Sequence, residues 1–430
     1  MKIKLKEVDY KIVCLLLAYM PFHYYICEIL ISGTSIDNIF RDIVLIMLFV
    51  GCLHKNRRIR HGYVVGAGIC IMFLFALVSY VLNSYPGTFN ILRTYTVPIL
   101  IFYVAATLKL NEAKFSKLHR IVYFSLAVVG IYGFFQAFIL GDDFLIKIGY
   151  PQSGGFLAGT SYYIGGFFGY QRVVGTFVSP NICGVILAIG LAAILFNNRV
   201  IQKKKIIIVF CIVIGLLGTF SRSAMIAFVV ACAFLWMFNG KKKRIRPRLL
   251  VLITFAFIVG VAGVYIVDNY FLGHLFGRML QSSFSGMFSM TDLSAQKHLE
   301  DLYQPIVQIL EHPFGLGFGN NGPIAIEYNS QANAVESSIY LICYEIGILG
   351  AVVYLAPYIL LIVDMLRYHS YKYQTPVCVA IICLFTYILL PNIQTYEIIF
   401  YFYFFAGLYY NRSVREIFTG QVELRRVAHG

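Results

Sequence analysis

Seven basic residues stand apart from the other Lys and Arg of the chain: Arg41, Arg93, Lys147, Arg172, Arg222, Arg278 and Lys297. They occur singly, whereas most of the remainder gather in clusters such as 55–60, 203–205 and 241–246. A guanidinium fork can hold two phosphate oxygens at once, so isolated arginines are candidates for an anionic ligand. Arg222 is the sharpest case. Ser221-Arg222-Ser223 interrupts two apolar runs. It reads either as a surface turn or as a costly charge at membrane depth, which is a functional hypothesis. Arg172 precedes Val173 through Asn181, where Pro180-Asn181 fits a helix start. Helix N-termini favour anions. The alternative for Arg172 is a lipid-headgroup anchor. Arg93 and Arg41 lie at the ends of apolar runs, and Arg41 adjoins Asp42, so an ion pair competes with a ligand role there. Lys147 reads as solvated.

One carboxylate is placed for proton transfer. Glu336 precedes Ser337-Ser338 and the apolar run that follows. It is either a helix-start cap or a general base whose pKa partial burial would raise. Glu345 falls about two and a half turns further along a helix and is expected to be buried, paired and structural. Asp142-Asp143 is an isolated acidic pair that fits a surface better than a metal site. There is no HExxH, no GxSxG, no phosphate-binding Gly-Lys loop and no metal-type carboxylate pair. No metal ligand set and no cofactor are predicted.

The elements that must position these residues are membrane helices. Of 430 residues, 59% are apolar and 13% charged, and mean hydropathy is +0.76. That composition excludes an ordinary soluble domain. The net charge of +15 would suggest nucleic acid in a soluble protein, but no recognition motif accompanies it. Apolar runs near the ~20 residues that a bilayer requires fall at 12–31, 36–53, 62–82, 91–108, 121–140, 181–196, 206–220, 224–238, 249–267, 338–363, 375–391 and 397–411. The expectation is an all-α polytopic membrane protein of about twelve transmembrane helices, a single integral domain over 1–430. The basic clusters occupy the N-terminus, the C-terminal tail and alternate loops, which makes those segments cytoplasmic. All seven isolated basic residues then fall on the opposite, outer side. The ten cysteines show no CxxC and read as packing residues. The N-terminal apolar run has no small-residue cleavage site after it and is expected to stay as an uncleaved first helix.

Two outer segments exceed simple connections. Residues 141–180 are rich in glycine and aromatics. Residues 268–335 carry an amphipathic helical pattern at 292–311, interrupted by Pro305 and ended by a Gly-rich turn, His312 through Gly322. The run 206–238 is expected to divide into two helices turning at Arg222.

Three blocks carry a family resemblance. They are Arg172 through Gly184; Gly218-Thr219-Phe220-Ser221-Arg222-Ser223-Ala224; and His312-Pro313-Phe314-Gly315-Leu316-Gly317-Phe318-Gly319 with Glu336-Ser337 and Glu345-Ile346-Gly347-Ile348-Leu349-Gly350. In this order the chain resembles the bacterial O-antigen polymerase and O-antigen ligase superfamily over roughly 170–350. The resemblance implies a metal-independent glycosyltransferase in the bacterial cytoplasmic membrane, with both termini cytoplasmic and the site on the outer face. It implies a polyprenyl-pyrophosphate-linked oligosaccharide as donor, arginines holding the pyrophosphate, and an acidic or His residue near 336 activating the acceptor. Arg172, Arg222, Arg278 and Arg93 are the arginine candidates, and Glu336 the catalytic one. Ligases tend to show His-Asn where Glu336-Ser337 stands, which favours a polymerase. Lys297 and His298 stand where the family tends to have an arginine. A flippase and a chain-length regulator are the implied partners besides membrane lipid. A lipid-linked oligosaccharide transporter is the rival of a different class.

The charge asymmetry makes a topology prediction. Reporter tags at 160, 222 and 300 should read outside, and tags at 57, 203, 243 and 420 inside. A cytoplasmic signal at 300 would overturn the side assigned to the site.

Overall fold

The computed structural model describes residues 7–30, 35–53, 59–83, 85, 87–150, 152–153, 156–157, 162–163, 171–196, 202–238, 306–329, 332, 335, 337–368, 374–414 and 416–417. Fourteen α-helices are described: α1 Val8–Tyr19, α2 Ser35–Leu53, α3 Gly62–Asn83, α4 Thr88–Thr96, α5 Ile101–Thr107, α6 Glu112–Phe135, α7 Gly141–Ile148, α8 Pro180–Leu195, α9 Gln202–Gly218, α10 Arg222–Phe238, α11 Pro323–Tyr328, α12 Ser338–Tyr368, α13 Gln374–Leu389 and α14 Tyr396–Tyr410. Short 3-10 turns at Met20–Phe22, Pro98–Leu100 and Asn392–Gln394 and π-helical turns at Tyr25–Leu30 and Gln136–Leu140 extend or join them. One departure from an all-helical chain lies in the first outer segment, a two-residue antiparallel pair of β1 Gln152–Ser153 with β2 Phe156–Leu157. It is too short to form a layer.

Helices coincide with every expected span except 249–267, which lies outside the described residues. By length and composition, four helical stretches are able to cross a membrane: Gly62–Val81, Thr88–Thr107, Glu112–Ile148 and Ser338–Tyr368. Pro180–Leu195, Arg222–Phe238 and Gln374–Leu389 are apolar but shorter. Twelve full-length crossings are therefore not what the described helices display. One reason is local: Pro21 opens a 3-10 turn after α1, whereas the stretch through Pro98 still runs over Thr88–Thr107.

The centre of the bundle is α14. All fifteen of its residues are buried, and it packs on α5, α13 and α8. A helix apolar all round has no face to give to water or lipid, so it must lie inside. Tyr358 of α12 stacks flat on Phe402, with ring centroids 3.5 Å apart. At the periphery α3 exposes Leu74, Leu77 and Val81, a surface suited to lipid. α6 and α9 touch through backbone: a Cβ on Gly215 would stand 2.4 Å from the Gly130 Cα. Such small-residue contacts replace the hydrophobic drive that lipid removes.

The expected division of 206–238 is present. α9 ends at Gly218 and α10 begins at Arg222, with Phe220 between them at φ 49°. The two helices then part company, α9 packing on α6 and α8, and α10 on α13 and α8. The expected helix start at 180 is also present, with the Ser179 hydroxyl accepting from the Ile182 N–H at 3.3 Å. Within 268–335, residues 306–311 are helical and α11 follows the Gly-rich turn. The rest of the amphipathic pattern lies outside the described residues.

Candidate functional site

Arg172 and Arg222 come together although their sequence blocks are far apart. The Val173 N–H donates to the Gly218 carbonyl at 2.8 Å, joining the segment before α8 to the end of α9. Three glycines permit that approach. A Cβ on Gly218 would lie 2.6 Å from Val173 Cγ2, one on Gly133 2.5 Å from Val173 Cγ1, and one on Gly184 2.8 Å from Ser221 Cβ. Gly175, at φ 62°, turns the segment. Its N–H donates to Gln136 Oε1 at 2.9 Å, and its carbonyl accepts from Gln136 Nε2 at 3.1 Å. Gln136 is buried in the π-helical turn that follows α6.

The Arg172 guanidinium donates from Nε to the Thr219 carbonyl at 2.8 Å and from Nη2 to Asn181 Oδ1 at 2.9 Å. Arg222 opens α10 and is exposed. Burial first, and then the Arg222 charge, push the Arg172 guanidinium down to about 10. It still carries its proton at neutral pH. An anion set between the two groups would reverse the second cause, since an opposite charge favours the protonated form.

A second polar centre surrounds Glu345, which is fully buried as the sequence leads one to expect. Tyr95 of α4 donates to Glu345 Oε2 at 2.5 Å, and Gln394 Nε2 donates to Oε1 at 3.0 Å. The Gly-rich block lies against the same stretch of α12. The Leu316 N–H donates to the Tyr344 carbonyl at 2.5 Å and the Ile348 N–H to the Pro313 carbonyl at 3.0 Å. α12 breaks at Gly347, at φ 72°, where a Cβ would meet the Pro313 carbonyl oxygen at 2.6 Å.

Arg93 does not share the Arg172 and Arg222 contacts. Its Nε lies 3.5 Å from Asp42 Oδ2, and Asp42 Oδ1 accepts from Arg41 Nε at 3.1 Å. The Arg41 guanidinium carbon sits 3.4 Å from the centroid of the Tyr396 ring. The structural ion pair open in the sequence for Arg41 is thus formed, and Arg93 joins it. Lys147 closes α7, whose first turn holds Asp142 and Asp143, charges that complement the helix dipole at both ends. Glu336, Arg278, Lys297 and His298 lie outside the described residues. Among the described residues no group of three His, Cys, Asp or Glu could hold a metal ion.

Residues 207–355 match the family model described as O-antigen ligase. The match supports the O-antigen ligase and polymerase superfamily, whose members are glycosyltransferase-like enzymes acting on lipid-linked glycans. With the apolar helices it marks an integral membrane protein. No curated protein matches the chain.

Sequence reasoning missed Gln136, Tyr95 and Gln394, and it placed Asn181 only at a helix start. Gln136 did leave a signal, an amide inside an otherwise apolar run. Asp42 was seen only as the neighbour of Arg41.

The Glu345 contacts have a fixed polarity. The Ile324 N–H, which can only donate, donates to Gln394 Oε1 at 3.3 Å. That sets the amide, so its Nε2 must donate to Glu345. With Tyr95 donating as well, Glu345 is a double acceptor. Glu345→Gln should therefore orphan one hydroxyl or amide proton and lower stability by about 1–3 kcal/mol. Glu345→Leu, which orphans two donors, should cost more. Thermal unfolding of the purified variants reads both, and a neutral Glu345→Gln would contradict the polarity.

Proposed function

We propose that the protein is a polymerase. It joins polyprenyl-pyrophosphate-linked oligosaccharide repeat units into O-antigen or a capsular or exopolysaccharide. The work takes place at the outer face of the bacterial cytoplasmic membrane, within a single polytopic domain over 1–430 of about twelve spans with both termini cytoplasmic. The outer segments 141–180 and 268–335 cover the site. The observation that carries this reading is the convergence of Arg172 and Arg222, two cations from separate blocks, in a chain matched to this superfamily.

In this reading the growing chain on its lipid pyrophosphate is the donor. A hydroxyl oxygen of the acceptor repeat unit attacks the anomeric carbon of the donor glycan. The bond from that carbon to the pyrophosphate oxygen breaks, and its electron pair leaves with the pyrophosphate. Glu336 takes the proton of the acceptor hydroxyl. Arg172 and Arg222 stabilise the charge that grows on the leaving group, and pre-set donors of this kind are usually the largest catalytic contribution. In this metal-independent scheme the two guanidinium groups do that work. Arg278, Lys297 and His298, on the second outer segment, are further candidates to bind the donor, with a flippase and a chain-length regulator as partners. The description of the matched family favours a second reading, ligation of the glycan to a different acceptor by the same chemistry. Glu336-Ser337, in place of the His-Asn to which ligases tend, supports the polymerase.

Reconstitution with defined lipid-linked repeat units tests the clamp. Arg222→Ala should abolish the product ladder, a loss of roughly 10²–10³-fold or more for one oxyanion donor. Arg222→Lys keeps the charge, loses the fork and should be strongly impaired. A headgroup anchor would tolerate Lys, so equal ladders for wild type and Arg222→Lys defeat the clamp. Vesicles that translocate the lipid without making a ladder would identify a transporter instead.

Glu336→Gln keeps the shape of the side chain and removes the base. Polymer formation should fall by about 10²–10⁴-fold while donor binding stays near normal. Wild-type polymer rate and length in that variant would reduce Glu336 to a helix cap.

A further inference from the structure

The Asp42 centre holds polar atoms that the fold leaves unused. Asp42 Oδ2, Arg93 Nε and the Tyr396 hydroxyl are buried and make no hydrogen bond among the described residues. They come from three helices, α2, α4 and α14. Arg93 Nε is 3.5 Å from Asp42 Oδ2, a charge contact without hydrogen-bond geometry. The Tyr396 hydroxyl also lies within the electrostatic reach of Asp42, without full hydrogen-bond geometry. Asp42 and Tyr396 are 5% and 6% exposed, so bulk water does not serve them. A buried polar atom without a partner is costly, and three in one place call for an occupant. The Arg93 side chain is 31% exposed, which makes it the open side of the centre.

The chemistry of the three atoms selects that occupant. Asp42 Oδ2 is an acceptor, Arg93 Nε–H a donor, and the Tyr396 O–H serves as either. A hydroxyl group satisfies all three at once: it donates to Asp42 and accepts from Arg93 and Tyr396. A phosphate does not, because it brings only acceptors to a carboxylate at neutral pH. The charge balance agrees. Arg41 and Arg93 are faced by Asp42 and by Glu397, whose charge acts on Arg41.

We propose that Asp42, Arg93 and Tyr396 form a subsite for a hydroxyl group of the glycan, a neutral polyol site separate from the pyrophosphate clamp. This rests on the polymerase reading and assigns Arg93 to sugar, not to phosphate. Gln394 and Tyr95, both bonded to Glu345, lie two residues from Tyr396 and Arg93 in sequence, so the Glu345 carboxylate anchors both walls of the subsite.

The test compares two probes bound to purified protein in detergent: polyprenyl pyrophosphate, and the same lipid carrying one repeat unit. Their affinity ratio isolates the glycan. Asp42→Asn and Arg93→Lys should each weaken binding of the glycan-bearing lipid by about 10–100-fold, the loss of one hydrogen bond to a charged group. Binding of the bare lipid should be unchanged, whereas Arg172→Ala should weaken both probes. If Asp42→Asn fails to fold, the half-exposed Arg93→Lys variant still decides the matter. Glycan-dependent binding that both variants leave intact overturns the subsite and spares the polymerase reading. That result, together with an ordered water density among the three atoms, would identify a structural water only. A wild-type protein with no preference for the glycan-bearing lipid overturns the subsite and the polymerase reading together.

Discussion

The hydrogen bond from the Val173 N–H to the Gly218 carbonyl is the contact on which the donor side depends. It exists because residue 218 has no side chain where Val173 must pass. The same approach sets the Arg172 fork against the Thr219 carbonyl and Asn181, and starts α10 at Arg222. Two like charges are thereby kept near one another, one of them largely withdrawn from water. The strain appears in the Arg172 guanidinium, whose proton is held less firmly than in water. Local structure over-determines this arrangement: the Gln136 amide grips both backbone groups of Gly175, and Ser179 caps α8. A fold that spends packing on keeping cations together gains when an anion arrives.

The blocks were legible in the sequence because each contains residues with a backbone reason to be there. Pro180 announces a helix start, whereas the close approach at Gly218 and the positive φ at Gly175 emerge only in the structure. The division at Ser221-Arg222-Ser223 followed from polar residues inside an apolar run. Pairings across helices were not legible. Nothing in the spacing of Asp42, Arg93 and Tyr396 says that α2, α4 and α14 meet, since an apolar helix gives little azimuthal signal when most of its faces are buried. For the same reason Glu345 could be read as buried and paired, but Tyr95 and Gln394 could not be named. The run 12–31 is not one uniform α-helix, because a 3-10 turn starts at Met20-Pro21 and a π-helical turn follows, whereas the run through Pro98 stays continuous over Thr88–Thr107.

The two arginine centres show how similar residues acquire different chemistry. Arg172 donates to a carbonyl and to an amide oxygen. Arg41 and Arg93 share Asp42, and Arg41 lies over an aromatic face that also answers its charge. A guanidinium already balanced has little electrostatic gain left to offer a pyrophosphate, but its geometry remains available for a neutral hydroxyl.

Glu345 gives these centres their common frame. Burying a carboxylate in a bundle with so little water is costly unless every lone pair that matters receives a donor. Tyr95 and Gln394 are those donors, and each belongs to a segment that also carries part of the Asp42 centre. Gln394 in turn accepts from the N–H of Ile324 at the start of α11, so the polarity of one amide links α12, α4, the turn before α14 and α11. An apolar residue at 345 could fill the same volume. It could not dictate which way the amide of Gln394 faces, and the α11 N–H would then lose the acceptor that ties it to the membrane helices.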